Sequence, residues 1–321
     1  MKILVVQIGR YGDLILTTPL LVAIKHLYPT CELHVLCSQR NQQLQKSIAG
    51  VDKFYVYEKS LLTLPVLLTK LRLHKYDLYI DPKDEYSTES KWLATLIGAK
   101  KTVGFNKPGE HVFDIDAYAH LTNTTSPPKQ VAMRFLAALH TLDNTNKQVT
   151  FGLQSYQDSE GYVAEYLKRV LPNNMAVINV SAGQPNRYWE IDKWVAITKH
   201  LSESHFEVIL TSTPADKQIV EKVYQENPKL HIFTPRDIHD VVALIQKAAF
   251  VITPDSAPLH IASAWNTPVI ALFSTVQWNV ERFAPLSTVQ CIVQPKDGKE
   301  EISDITTDDV VRAIDRIREM I

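Results

Sequence analysis

The sequence predicts an α/β protein built from two doubly wound domains, each with a parallel sheet. Three observations carry this. Short apolar runs alternate with helical patterns along nearly the whole chain. The alternation lapses in a polar, weakly patterned stretch at 142–161 and then restarts. Several runs are apolar without interruption, as in strands covered by helices on both faces. The expected domains are residues 1–150 and 151–321.

In chain order, "KILVVQI" (2–8) is a first buried strand. Thr18-Pro19 read as a cap and first helical residue opening "LLVAIKHLY". "ELHVLC" and "FYVY" are the next strands, and a Leu-rich helix covers 61–75. "YDLYID" is a strand ending at Asp81-Pro82, "ESKWLATLIGA" a helix stopping at Gly98, and "KTVGF" another strand. A further helix is expected over 129–141. After the polar stretch come a helix at 157–170, the strand "MAVINV", and helices at 191–203, 215–226 and 238–248. These alternate with the strands "FEVILT", "LHIF" and "FVITP". A helix from 257, the strand "PVIALF" and a last helix at 307–319 complete the pattern.

Composition narrows the function classes. The 321 residues are 45% hydrophobic and 21% charged, which is globular, and the net charge of −1 offers no chain-wide footprint for nucleic acid. Cys31, Cys37 and Cys291 form no CxxC pair, so a disulfide or zinc framework is not expected and a reducing compartment fits. The first apolar run is too short for a signal peptide core, and no stretch approaches the ~20 apolar residues of a spanning helix. A cytoplasmic protein is expected, at most touching a membrane surface.

In doubly wound domains the loops after strands carry the ligand site, and two such domains imply a cleft between them. "GRYGD" (9–13) follows the first strand. It is neither GxGxxG nor a P-loop, which disfavours a standard dinucleotide or ATP site. Asp13 there reads either as a capping carboxylate or as a general base. "ITPDSAPLHIASAW" (252–265) places Asp255-Ser256 at a helix start, with Pro258 in the first turn and His260 beyond. Its free N–H groups and dipole make an anion site that would hold a diphosphate without a metal, or simply a well-capped helix with a packed histidine. "NVSAGQPNRYWEIDKW" (179–194) offers Ser181 at a strand end, then Arg187, able to pair with a phosphate, and Trp189. "YIDPKDEYSTES" (79–90) clusters acids around Lys83, but Asp81 and Asp84 alone do not make a metal site. The stretch "LLTLPVLLTKLRLHK" (61–75), with Lys70, Arg72, His74 and Lys75, reads as a helix on its own sheet or a basic amphipathic helix at an anionic membrane. No GxSxG or HExxH motif is present, and the eleven His show no ligand spacing.

Taken together, "IGRYGDLILTTPL", "YDLYID…STESKWLATLIGAKKTVGF" and "DSAPLHIASAWNTPVIALF" resemble the signatures of glycosyltransferase family 9, the heptosyltransferases of lipopolysaccharide core assembly. The resemblance spans residues 3 to about 273. It implies a GT-B architecture of two Rossmann-like domains facing a central cleft, the last helix packing back on the N-terminal one. It implies an inverting, metal-independent transfer with no cofactor. The donor would be a nucleotide-diphosphate sugar, ADP-heptose in characterised members, bound by the C-terminal domain. The acceptor would be a lipid-linked core saccharide at the inner membrane. By the same resemblance Asp13 is the base, while Arg187, Ser181, Asp255, Ser256, Ala257 and His260 hold the donor diphosphate. Arg10, Gly12 and Lys83 fall on the acceptor side or its loops.

The sequence departs from the family pattern at Ala257, where the family has Gly, at Gln7 and Arg187, where it often has Lys, and at Pro82-Lys83-Asp84. A GT-B enzyme with another nucleotide-sugar donor and a non-catalytic GT-B binding module stand as alternatives. The base pocket is expected near "TPRDIHD" (234–240).

Overall fold

The computed structural model describes residues 1–83, 87–107, 109–122, 128–140, 149–170, 174–296 and 298–321. The chain divides into two units, Met1–Leu153 and Gln154–Ile321.

The first unit is a six-stranded parallel sheet. Its strands are β1 (Lys2–Gln7), β2 (Glu32–Ser38), β3 (Lys53–Tyr57), β4 (Leu78–Ile80), β5 (Lys101–Gly104) and β6 (Ile115–Asp116). They lie in the order β3-β2-β1-β4-β5-β6, with Val5 between Val35 and Ile80. Its helices are α1 (Tyr11–Leu27), α2 (Thr63–Leu73), α3 (Thr88–Ile97), α4 (Ala117–Thr122) and α5 (Val131–His140). Chain order reverses direction between β1 and β4, the switch point at whose carboxyl edge ligands collect in such sheets. β1 is central and buried from Ile3 to Gln7, hence its unbroken apolar run. α3 is capped by Ser87 and stopped by Gly98 in the left-handed region, φ 65°.

The second unit repeats the plan. Its strands are β7 (Met175–Asn179), β8 (Glu207–Thr211), β9 (His231–Phe233), β10 (Phe250–Pro254), β11 (Val269–Leu272) and β12 (Gln290–Val293), in the order β12-β11-β10-β7-β8-β9. Here the switch point lies between β7 and β10. The helices are α6 (Gln157–Leu167), α7 (Ile191–Glu203), α8 (Lys217–Glu226), α9 (Ile238–Gln246), α10 (Ala257–Trp265), α11 (Gln277–Phe283) and α12 (Thr307–Met320).

Several expectations need correction. Thr18-Pro19 do not start a helix: α1 begins seven residues earlier, at Tyr11, and carries Pro19 in its interior. A proline there removes the N–H that would serve the carbonyl of Ile15. The Thr18 hydroxyl donates to that carbonyl instead, at 2.7 Å, so the helix runs through. Val310, Ala313, Ile314 and Ile317 of α12 are buried in the second unit's own core with Trp194, Ile197 and Leu272. The sequence reading also passed over β6, β12, α4 and α11. β12 is only four residues long, and its short apolar run, Cys291-Ile292-Val293, alternates buried and exposed. Of the polar stretch 142–161, residues 142–148 lie outside the described residues. Within it, Gly152 belongs to the first unit, its carbonyl accepting the Ala49 N–H at 2.8 Å, and residues 157–161 open α6 of the second.

Candidate active site

In the first unit the candidate residues stand at the carboxyl end of β1. Asp13 is not in a loop, as the sequence suggested, but in the first turn of α1. Its Oδ2 accepts the backbone N–H of Arg10 at 2.7 Å. Asp13 is half-buried, and its Oδ1 has no partner among the described residues. The capping and base readings of this carboxylate are thus compatible, since one oxygen serves each. Gly9 makes room for it: a Cβ built there would lie 2.4 Å from Asp13 Oδ2.

Residues from the neighbouring strand end fix this turn, and no sequence motif marked them. Ser38 Oγ donates to the Gly9 carbonyl at 2.7 Å, and Asn41 Nδ2 to the Gln7 carbonyl at 3.0 Å. The buried Gln7 side chain donates to Thr17 Oγ1 at 2.7 Å, and Thr17 in turn to the Asp13 carbonyl at 2.7 Å. Gln7 therefore braces α1. The side chain of Arg10 is exposed, and Gly12 lies within the helix.

Across the switch point, Gln7, Asp81, Lys83, Glu89 and Ser90 line a cavity of about 50 Å³. Burial pushes the Asp81 carboxyl up to about 7, against the Lys83 N–H at 3.0 Å and the Lys83 ammonium, which pull it down. Asp84, the other half of the acidic pair, lies outside the described residues.

In the second unit the candidates surround the start of α10. Ser256 occupies the N-cap position, but its hydroxyl does not cap the helix. It is taken by Thr253 Oγ1 at 3.1 Å and Asn179 Nδ2 at 3.2 Å. The N–H groups of Ser256 and Ala257 make no bond among the described residues, and Pro258 has none to offer. They stand at the positive end of the helix dipole, a disposition suited to an anion.

Asp255 stands just before the helix start, at the end of β10. It is buried, and its Oδ2 takes Arg187 Nη1 at 2.7 Å and Asn279 Nδ2 at 2.8 Å. Arg187 Nη1 also donates to the Asp255 carbonyl at 3.2 Å. Among the described residues every side-chain bond of Arg187 runs through Nη1, so Nε and Nη2 remain available for a ligand. Asp255 thus orients the arginine, and Asn279, which the sequence did not flag, completes the clamp. Ser181 Oγ accepts the Thr213 N–H at 2.8 Å, joining the loops after β7 and β8. His260 is buried with its ring 6.3 Å from that of Phe283. Trp189 is a core residue whose indole N–H donates to the Ile305 carbonyl at 2.9 Å. In 234–240, Arg236 is held by Asp240 at 2.8 Å and Asp158 at 3.0 Å, which makes it a strut between α6 and α9.

One group could hold a metal ion among the described residues: Glu32, His34 and His74, with ligand atoms within 4.8 Å of one another. Sequence spacing hid it, because His74 is distant in the chain. It sits at the amino end of β2, away from the carboxyl edge. Its nitrogens are already engaged: His34 bonds Glu32 at 2.9 Å and Tyr76 at 2.8 Å, and His74 bonds Tyr55. Burial lowers the pKa of both imidazoles.

Two units, each a doubly wound parallel sheet with a topological switch point, are the components of a GT-B fold. The profile of glycosyltransferase family 9 (heptosyltransferase) matches residues 66–305, and the chain belongs to that family. It is 28% identical over 283 residues to lipopolysaccharide heptosyltransferase 3 of Escherichia coli, covering 82% of this chain and 80% of that protein. It is 23% identical to the lipopolysaccharide core heptosyltransferase OpsX of Haemophilus influenzae, over 90% of this chain and 83% of the relative. Its fold matches that of E. coli ADP-heptose lps heptosyltransferase II with a TM-score of 0.79 at 18% identity, covering the whole of both chains.

Proposed function

We propose that this glycosyltransferase moves a heptose from ADP-heptose onto the core of lipopolysaccharide or lipooligosaccharide, with inversion and without a metal, at the inner face of the inner membrane. The names of its relatives support the donor and acceptor classes. In this reading Asp13 Oδ1 takes the proton of an acceptor hydroxyl as its oxygen bonds the anomeric carbon. The bond from that carbon to the diphosphate breaks, and the diphosphate leaves with the electron pair. Arg187 Nε and Nη2 and the N–H groups of Ser256 and Ala257 meet its charge. Arg10, Gly12 and Lys83 would border the acceptor. The observation that carries the base assignment is the division of labour in Asp13, one oxygen held by Arg10 and the other unbonded.

The test is transfer from ADP-heptose to a heptose-deficient core, read by mass spectrometry with and without EDTA. Product is expected in both conditions. Asp13→Asn should lower turnover by about 10²–10⁴ while ADP binding persists. Product only with another nucleotide sugar would move the donor, and near-normal turnover in Asp13→Asn would remove the base.

A further inference from the structure

α2 carries two apolar faces. Leu64, Leu67, Leu68 and Leu71 turn inward onto the core of the first unit. At ~100° per residue, Leu62, Val66 and Leu73 fall together on the opposite side. They are 87%, 69% and 74% exposed, and Leu61 just before them is 93% exposed. A surface helix ordinarily carries polar residues there. Lys70 and Arg72 flank the stripe on its two sides, and residues 59–75 contain Lys59, Lys70, Arg72 and Lys75 with no Asp or Glu. Arg72 Nη1 donates to the Leu96 carbonyl at 3.4 Å, which joins the stripe to the end of α3. There Trp92, four residues earlier on the same side, is 65% exposed.

We propose that this α2–α3 face docks the protein on an anionic lipid bilayer. Leu61, Leu62, Val66, Leu73 and Trp92 enter the boundary between headgroups and acyl chains, while Lys70, Arg72 and Lys75 meet lipid phosphates. Charge decides the occupant. A second copy placed symmetrically on this face would set the cationic flanks against each other, whereas an anionic surface complements them. The transferase reading deepens here, since this is the surface through which it would approach a lipid-borne acceptor. The proposal rests on that reading only for its choice of a membrane over an acidic protein.

The test is cosedimentation of the full chain with vesicles of phosphatidylcholine alone, or with a third of phosphatidylglycerol, at low and high salt. No sugar substrate enters the assay, so its result is independent of the transfer reaction. Binding is expected to the anionic vesicles only, and to fall at high salt. Leu62→Ser combined with Leu73→Ser and Trp92→Ser should weaken it about tenfold or more, as should Lys70→Glu with Arg72→Glu. Thermal unfolding and ADP binding of these variants should match the parent, since none of the five side chains is buried and none belongs to the second unit. Failure of the parent to bind anionic vesicles overturns the proposal, and so does equal binding by parent and variants. A dimer in sedimentation velocity that the Leu variant abolishes, with no vesicle binding, would assign the face to self-association and also overturn it.

Discussion

Gly9→Ala tests the site at its tightest point. The glycine has no left-handed backbone, so a methyl group there costs nothing in φ. Its consequence is a Cβ 2.4 Å from Asp13 Oδ2 and 2.8 Å from Asp13 Cβ. Ordinary contact begins about 1 Å further out, so the Asp13 side chain must shift by about that much or rotate away from the Arg10 N–H. A misplacement of ~1 Å in a reacting group costs on the order of 10²-fold in rate. We expect the kcat of transfer to fall about a hundredfold, with little change in ADP affinity, because the groups proposed to meet the diphosphate belong to the second unit. Losing the Arg10–Asp13 bond should lower stability by about 1 kcal/mol. The assay is steady-state transfer beside ADP titration and chemical unfolding. In an Asp13→Asn background the alanine should cause no further loss of kcat, since the group it displaces has already lost its function. Near-parental kcat in Gly9→Ala, or a full additional loss in the double variant, would refute the placement of Asp13 in the reaction.

Other expectations follow from the same structure. Asp81→Asn should stabilise the protein at pH 8. The carboxyl titrates near 7 when folded and near its ordinary 3.8 when unfolded, so the folded state loses stability as pH rises from about 4 to 7. At 1.36 kcal/mol per pH unit this is on the order of 4 kcal/mol at most, absent below pH 4 and complete above pH 7. Urea unfolding across that range checks it, and a variant less stable than the parent at pH 8 would reverse the assignment. Thr18→Val leaves the Ile15 carbonyl inside α1 without its donor and should cost about 1–3 kcal/mol in thermal unfolding. Arg187→Ala should weaken ADP binding by roughly ten- to a hundredfold by calorimetry, the range of a lost charged hydrogen bond. Asp255→Asn should weaken it less, because Arg187 keeps its charge and loses only its orientation.

Much of the plan was legible because it is written in local periods. Unbroken apolar runs marked β1, β7, β10 and β11, all buried along most of their length. The loops that follow β7 and β10 were visible as Ser-Ala-Gly and Asp-Ser at strand ends, whereas the Gly-Asp after β1 was visible but falls in the first turn of α1. β12 escaped because half its residues face solvent, and a short half-buried edge strand reads much like a turn.

The sequence by itself determined two doubly wound units, the strand ends that bear their loops, and the residue types placed there. These follow from the spacing of apolar side chains and from glycine, which act between near neighbours. Only the tertiary structure decided where α1 begins, because the carbonyl that Pro19 abandons is served by Thr18 and its first turn is held by Ser38 and Asn41 from another strand. Only the fold showed that Asp255 holds Arg187, 68 residues away, with Asn279 as a third partner. Only the fold, likewise, put one leucine face of α2 in the core and left the other in solvent. Each of these depends on which groups meet after distant segments pack, and a one-dimensional pattern carries no distance between them.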